Sequence, residues 1–150
     1  MNCGIDNLIS WRNAFKSRRE KMSVVLATDG RAHTAKAVDY ALEYARLHRE
    51  ELYVVFVIGP RHEENREGTV GEAKKHLEEI KERATQQGLE TTTLLETGAP
   101  AESAIAVAER VGASAIIVGT SGKTVLDRVL IGSVSEHVVR NSPCTVIVVK

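Results

Sequence analysis

Gly119, Gly122 and the adjacent pair Gly132-Ser133 have the types and the spacing to hold an anion. Glycine lets backbone N–H groups approach a phosphate with no Cβ between them. A helix beginning near Ser133 adds unpaired N–H groups and the positive end of its dipole. The chemistry this suggests is nucleotide binding. Two familiar phosphate motifs do not apply. Ser121-Gly122-Lys123-Thr124 ends like a P-loop, but the earlier glycine that motif requires falls on Ile117, inside the apolar run Ala115 to Val118. The dinucleotide fingerprint G-x-G-x-x-G fails as well, because no early strand-to-helix turn carries it.

Candidates for catalysis are few. His33, His48, His62, His76 and His137 fall on helices or a charged loop without metal-binding spacing, and His33, close after Asp29, is the histidine expected near the pocket. Cys144 has no visible base partner and is expected to pack. Glu63-Glu64 and Glu78-Glu79 read as solvated surface charge. No catalytic residue and no metal ligand are assigned.

The elements that must position these residues are legible in the apolar pattern. Ser23–Thr28, Leu52–Ile58, Leu89–Leu95, Ala115–Val118 and Thr145–Val149 read as strands. Thr34–Arg49 carries Ala37, Val38, Ala41, Leu42 and Ala45 on one helical stripe, and Thr69–Gln87 carries Ala73, Leu77, Ile80 and Ala84, with Gly88 as its stop. Pro100 opens a third helix with Ala104, Ile105, Ala108 and Val111 inward and Gly112 as its end; Ser133–Asn141 is a fourth, with Ser133 as its expected N-cap. Strands apolar on both faces, separated by amphipathic helices, mean an open α/β sandwich with a parallel sheet covered on both sides. Ligands in such sheets sit beyond the C-terminal strand ends, where strand order reverses. That singles out Thr28-Asp29-Gly30, Val57-Ile58-Gly59 and the stretch from Val118 and Gly119 onward.

A chain of 150 residues with 43% hydrophobic content forms one domain with room for a real core. Basic and acidic residues number 20 each, so net charge is zero and general electrostatic binding to nucleic acid is not expected. Cys3 and Cys144 lie at opposite ends with no metal spacing, which fits a reduced, cytoplasmic setting. No apolar run approaches a membrane span, so no stable membrane insertion is expected. Residues 1–21 read as a separate basic extension, with Arg12, Lys16, Arg18, Arg19 and Lys21 beside Leu8, Trp11 and Phe15 at helical spacing. The extension could dock on the domain, a partner or an anionic membrane surface, be a frayed tail, or precede a true start at Met22.

Taken together, Val25-Leu26-Ala27-Thr28-Asp29-Gly30, Val55-Phe56-Val57, Val118-Gly119-Thr120-Ser121-Gly122, Leu130-Ile131-Gly132-Ser133-Val134-Ser135 and Ser142-Pro143-Cys144 through Val149 resemble the universal stress protein family over residues 22–150. Within that family the spacing G-x2-G-x9-G-[ST] marks an ATP-binding branch, and Gly119, Gly122, Gly132 and Ser133 match it. The resemblance implies a Rossmann-like, adenine-nucleotide-binding sandwich of five strands in order 3-2-1-4-5. It implies that Thr28 and Asp29 border the adenosine, with Val57 on the adenine. Gly119 and Gly122 would pass close to the ribose and phosphates, with Val118 leading into them, while Gly132, Ser133, Val134 and Ser135 would present N–H and hydroxyl groups to the phosphate chain. Lys123 and Arg128 could add charge. The cofactor implied is ATP, with or without Mg2+, and the partner a second copy joined through residues 145–149. Ser121, Arg31 and Phe56 depart from the family's usual residues at their positions. The function expected is an ATP-binding switch or stress-response regulator. The alternatives are a nucleotide-independent dimeric scaffold and a slow ATPase.

Overall fold

The computed structural model describes residues 21–60, 65–120 and 131–150. The expectations placed on 1–20, on His62, Glu63 and Glu64, and on Ser121, Gly122, Lys123 and Arg128 lie outside the described residues. In chain order the elements are β1 (Ser23–Thr28), a 3-10 turn (Ala32–Thr34), α1 (Ala35–His48), β2 (Glu51–Ile58), α2 (Arg66–Gln86), β3 (Thr91–Thr97), α3 (Pro100–Val111), β4 (Ala115–Gly119), α4 (Ser133–Asn141) and β5 (Thr145–Val149).

The five strands form one sheet in the order β3-β2-β1-β4-β5, and every neighbouring pair is parallel. Alternation along each strand divides the core in two. Val24, Leu26, Val54, Phe56 and Ile117 meet the apolar stripes of α1 and α2 on one face. Val25, Val55, Val57, Ile116 and Val118 meet α3 and Val138 of α4 on the other. The central strands are therefore apolar on both sides, as burial under two helical layers requires.

Helix ends account for most departures from the expected boundaries. The third strand begins at Thr91 rather than Leu89, because Leu89 belongs to the cap of α2. Gly88 takes a left-handed φ of 71°, its N–H bonds the Thr85 carbonyl, and the Leu89 N–H returns to Ala84. These paired bonds satisfy the last carbonyls of α2 and seat Leu89 against the core. Strand pairing then carries β3 on to Thr97, opposite Ile58. At the start of α1, Thr34 closes a 3-10 turn instead of opening the α-helix. In α3, Val107 is fully inside with Ala101, Ala104 and Ala108, while Ile105 and Val111 are only partly covered.

The two edges of the sheet carry different chemistry. At the N-terminal edge the Ser114 N–H bonds the Ser23 carbonyl at 2.8 Å, and its hydroxyl donates to buried Glu50 at 2.6 Å. Glu50 thereby takes part in a bracket joining the start of β2 to the start of β4, a structural use of a carboxylate. The C-terminal edge gathers Thr28, Ile58, Gly119 and Val149, together with the beginnings of the helices. Leu26 is fully buried at the centre of the sheet. Leu26→Ala should cost about 2–5 kcal/mol in urea unfolding with an unchanged far-ultraviolet spectrum. A loss of under about 0.5 kcal/mol, the range of surface substitutions, would contradict this placement.

Candidate functional site

The end of β1 is organised around the Thr28 hydroxyl. It lies 3.2 Å from the Gly30 N–H, 3.2 Å from the Thr34 hydroxyl and 3.1 Å from Nε2 of His76 on α2. Gly30 takes a left-handed φ of 73°, and a Cβ there would stand 3.2 Å from the Phe56 ring, so the turn needs glycine twice over. Asp29 uses Oδ1 to accept the Arg31 N–H at 3.1 Å, the usual way an aspartate closes a turn on itself. Its Oδ2 faces Arg31 at 3.8 Å and His33 at 3.4 Å, with the side chain 43% exposed. Asp29 is thus both turn-former and accessible acceptor.

At the end of β4, Gly119 makes a close approach to the 3-10 turn. A Cβ would lie 3.3 Å from the Thr34 methyl and 3.4 Å from the His33 carbonyl. Beyond it, the Thr120 N–H bonds the Val149 carbonyl of β5 at 3.2 Å. Gly122 and Lys123 lie outside the described residues. The chain then enters α4, which runs back between two parallel strands and so has its N-terminus at the same sheet edge. Gly132, not Ser133, is the N-cap: it is extended at φ −72° and ψ 163°, and Ser133 is the first helical residue, with its side chain exposed. The buried Ser135 hydroxyl turns inward to the Gly132 carbonyl at 3.1 Å, and the Glu136 N–H donates to the same oxygen at 2.8 Å. Ser133, Val134 and Ser135 therefore offer backbone N–H groups, which have no partner within the helix.

Val57 and Val118 both belong to the core layer beneath α3 and α4, at 8% and 2% exposure. They can supply the apolar floor at this edge but no polar contact. Thr28, Asp29, Gly119 and the start of α4 come to one edge of adjacent strands β1 and β4, the point where strand order reverses. Among the described residues no cluster of three or more His, Cys, Asp or Glu could hold a metal, and no helix is long and apolar enough to cross a membrane.

His33 is not the sole histidine at this edge, as the sequence suggested. His76 bonds Thr28 and meets Phe56 edge-on, with ring centroids 6.4 Å apart. The signal for it was present: position 76 follows buried Ala73 by three residues and precedes buried Ile80 by four, on the core stripe of α2. Burial pushes the His76 imidazole below its ordinary value of 6.5, while the Glu79 and Asp29 carboxylates pull it the other way.

Residues 22–150 match the family model described as Universal stress protein family. Universal stress protein MJ0531 of Methanocaldococcus jannaschii is 33% identical over 137 residues, covering 85% of this chain and 81% of that protein. The solved universal stress protein from Archaeoglobus fulgidus in complex with dAMP is similar at 26% identity and a TM-score of 0.69, covering 86% of this chain and 98% of its own. A universal stress protein solved in complex with cAMP is 27% identical with a TM-score of 0.69, covering 86% of this chain and 96% of its own.

The depressed His76 value has a consequence for stability. Near and below pH 6.5 the unfolded chain takes up a proton that the folded chain resists, so stability holds above that value and falls as pH drops through it. Urea midpoints across this range should decline in the wild type, and the decline should be shallower in His76→Gln. Parallel profiles would contradict the assignment.

Proposed function

The chain belongs to the universal stress protein family, and from that premise we propose that it binds an adenine nucleotide at the C-terminal edge of β1 and β4. The nucleotide in this reading is ATP, with or without Mg2+, and its presence or absence switches a regulator of the stress response. One observation carries the proposal. The parallel topology sets the accessible Asp29 carboxylate and the N–H groups of Ser133, Val134 and Ser135, which have no partner within the helix, at the same edge of neighbouring strands. A carboxylate accepts hydrogen bonds from sugar hydroxyls or an exocyclic amine, and a helix N-terminus attracts phosphate. The apolar ends of Val57 and Val118 suit an adenine or ribose face. Gly122 and Lys123 complete the phosphate side of the proposal. Family members holding dAMP and cAMP, both adenine nucleotides, support the choice of base.

The site is read as a binder. Thr28 has its hydroxyl engaged within the chain and Asp29 accepts the Arg31 N–H of its own turn, and in this reading neither has a role as nucleophile or base. Hydrolysis, if present, is slow. Residues 22–150 make up the binding domain and residues 1–21 stand outside it. A second copy is proposed to pair along β5, whose outer edge has no neighbouring strand within the described sheet and whose Val146 to Val149 are only partly covered.

Two measurements test the reading. Mg-ATP at a hundred times its dissociation constant should raise unfolding stability by about 2.7 kcal/mol, visible as a melting shift; no shift at millimolar Mg-ATP favours a nucleotide-independent scaffold. Ser133→Pro deletes one N–H at the first helical position, where proline is well tolerated. It should leave the melt of the free protein within about 0.5 kcal/mol and weaken ATP binding by about tenfold or more, the worth of a hydrogen bond to a charged group. Unchanged affinity would remove α4 from the site.

A further inference from the structure

We propose that His76 is the positioning residue of the nucleotide site, holding the Asp29-to-Thr34 turn in its binding form through one hydrogen bond to Thr28. The inference rests on the nucleotide reading and assigns the site a residue from α2, an element that the phosphate motif does not include.

Counting hydrogens gives that bond a direction that the NMR measurement below can check. The Thr34 hydroxyl has one hydrogen, and its shortest acceptor is the Arg31 carbonyl at 2.8 Å, ahead of Asp29 Oδ1 at 3.4 Å. Toward Thr28, at 3.2 Å, Thr34 therefore accepts, and the single hydrogen of Thr28 points to it. The lone pairs of Thr28 then receive the Gly30 N–H and His76 Nε2. The arrangement that makes all of these contacts hydrogen bonds at once has His76 as donor, and in this proposal the ring is the Nε2–H tautomer with Nδ1 as its unprotonated nitrogen. The chain of donors runs from His76 to Thr28 to Thr34 to the Arg31 carbonyl, and every hydrogen has one destination.

This chain joins three parts of the site edge. Thr28 ends β1, the Gly30 and Arg31 backbone flanks the Asp29 carboxylate, and Thr34 is the residue that Gly119 of β4 packs against. His76 anchors the chain from α2 on a half-buried ring whose edge meets Phe56. Without the donor, Thr28 is held only by the Gly30 N–H and Thr34, both within the turn itself, and the Asp29 turn and its contact with Gly119 lose their anchor on α2.

The test uses the full-length chain with ATP as the probe, by calorimetry, on wild type, His76→Phe and His76→Gln. Phenylalanine keeps a ring against Phe56 without the donor, whereas the glutamine amide can reach the place of Nε2. His76→Phe should bind about tenfold more weakly, the upper range for one hydrogen bond, and His76→Gln should recover most of the loss. Long-range proton–nitrogen NMR of the wild type should show the Nε2–H tautomer. Equal affinity in His76→Phe, failure of His76→Gln to recover it, or the Nδ1–H tautomer would each overturn the inference while wild-type binding leaves the nucleotide reading standing. If His76→Phe does not fold, His76→Asn, whose amide is too short to reach Thr28, takes its place with the same expected loss. A wild type that binds no ATP overturns the nucleotide reading and the inference together.

Discussion

Parallel pairing of β1 with β4 is the constraint on which the rest of the molecule depends. Val24 to Ala27 stand opposite Ala115 to Val118 in register, although some ninety residues of chain separate them. The chain winds outward from β1 through β2 to β3 under α1 and α2, then crosses to the far side of β1 and continues through β4 and β5 under α3 and α4. Each strand is parallel, so each strand ends at the same edge and each crossover helix begins there. The reversal between β1 and β4 sends their following segments to opposite faces and leaves a crevice between them. A carboxylate turn on one side and a helix N-terminus on the other are consequences of this winding.

Polar groups at the two edges of the sheet are used differently. Glu50 and Ser114 close on each other and on the Ser23 backbone, a bracket that joins the starts of β1, β2 and β4. At the other edge Thr28 plays the fixing role with His76, Gly30 and Thr34. That leaves Asp29 partly exposed and the first turn of α4 with donors that have no partner within the helix. Gly119 serves support as well, because its missing Cβ admits the 3-10 turn that carries Thr34. Small residues at this edge let structural segments come close.

Much of this was legible in the sequence. Apolar runs placed all five strands, β1, β5 and α4 with the boundaries observed, and the Asp29-Gly30 and Gly132-Ser133 pairs fell at strand and helix ends as expected. Strand order came from resemblance to a family, since periodicity does not say which strands are neighbours. What the sequence concealed was mostly side-chain traffic. Leu89 looks like strand but is spent on capping α2, because a left-handed Gly88 turns the chain back. Ser133 has the chemistry of an N-cap, yet Gly132 occupies that place and the buried serine hydroxyl belongs to Ser135. His76 sits among the lysines and glutamates of α2, whose charge masks its position on the apolar stripe. Its bond to Thr28 spans 48 residues and depends on the tertiary fold.

The claim that an adenine nucleotide sits at the edge shared by β1 and β4 is tested most directly by amide chemical-shift mapping during titration with ATP. Residues 29–34, 57–59, 119–120 and 132–135 should shift together and saturate at one dissociation constant. Residues 22–23, 50–51 and 113–114, at the opposite edge of the sheet, should stay in place. Shifts centred on that opposite edge, or none at saturating ATP, would contradict it.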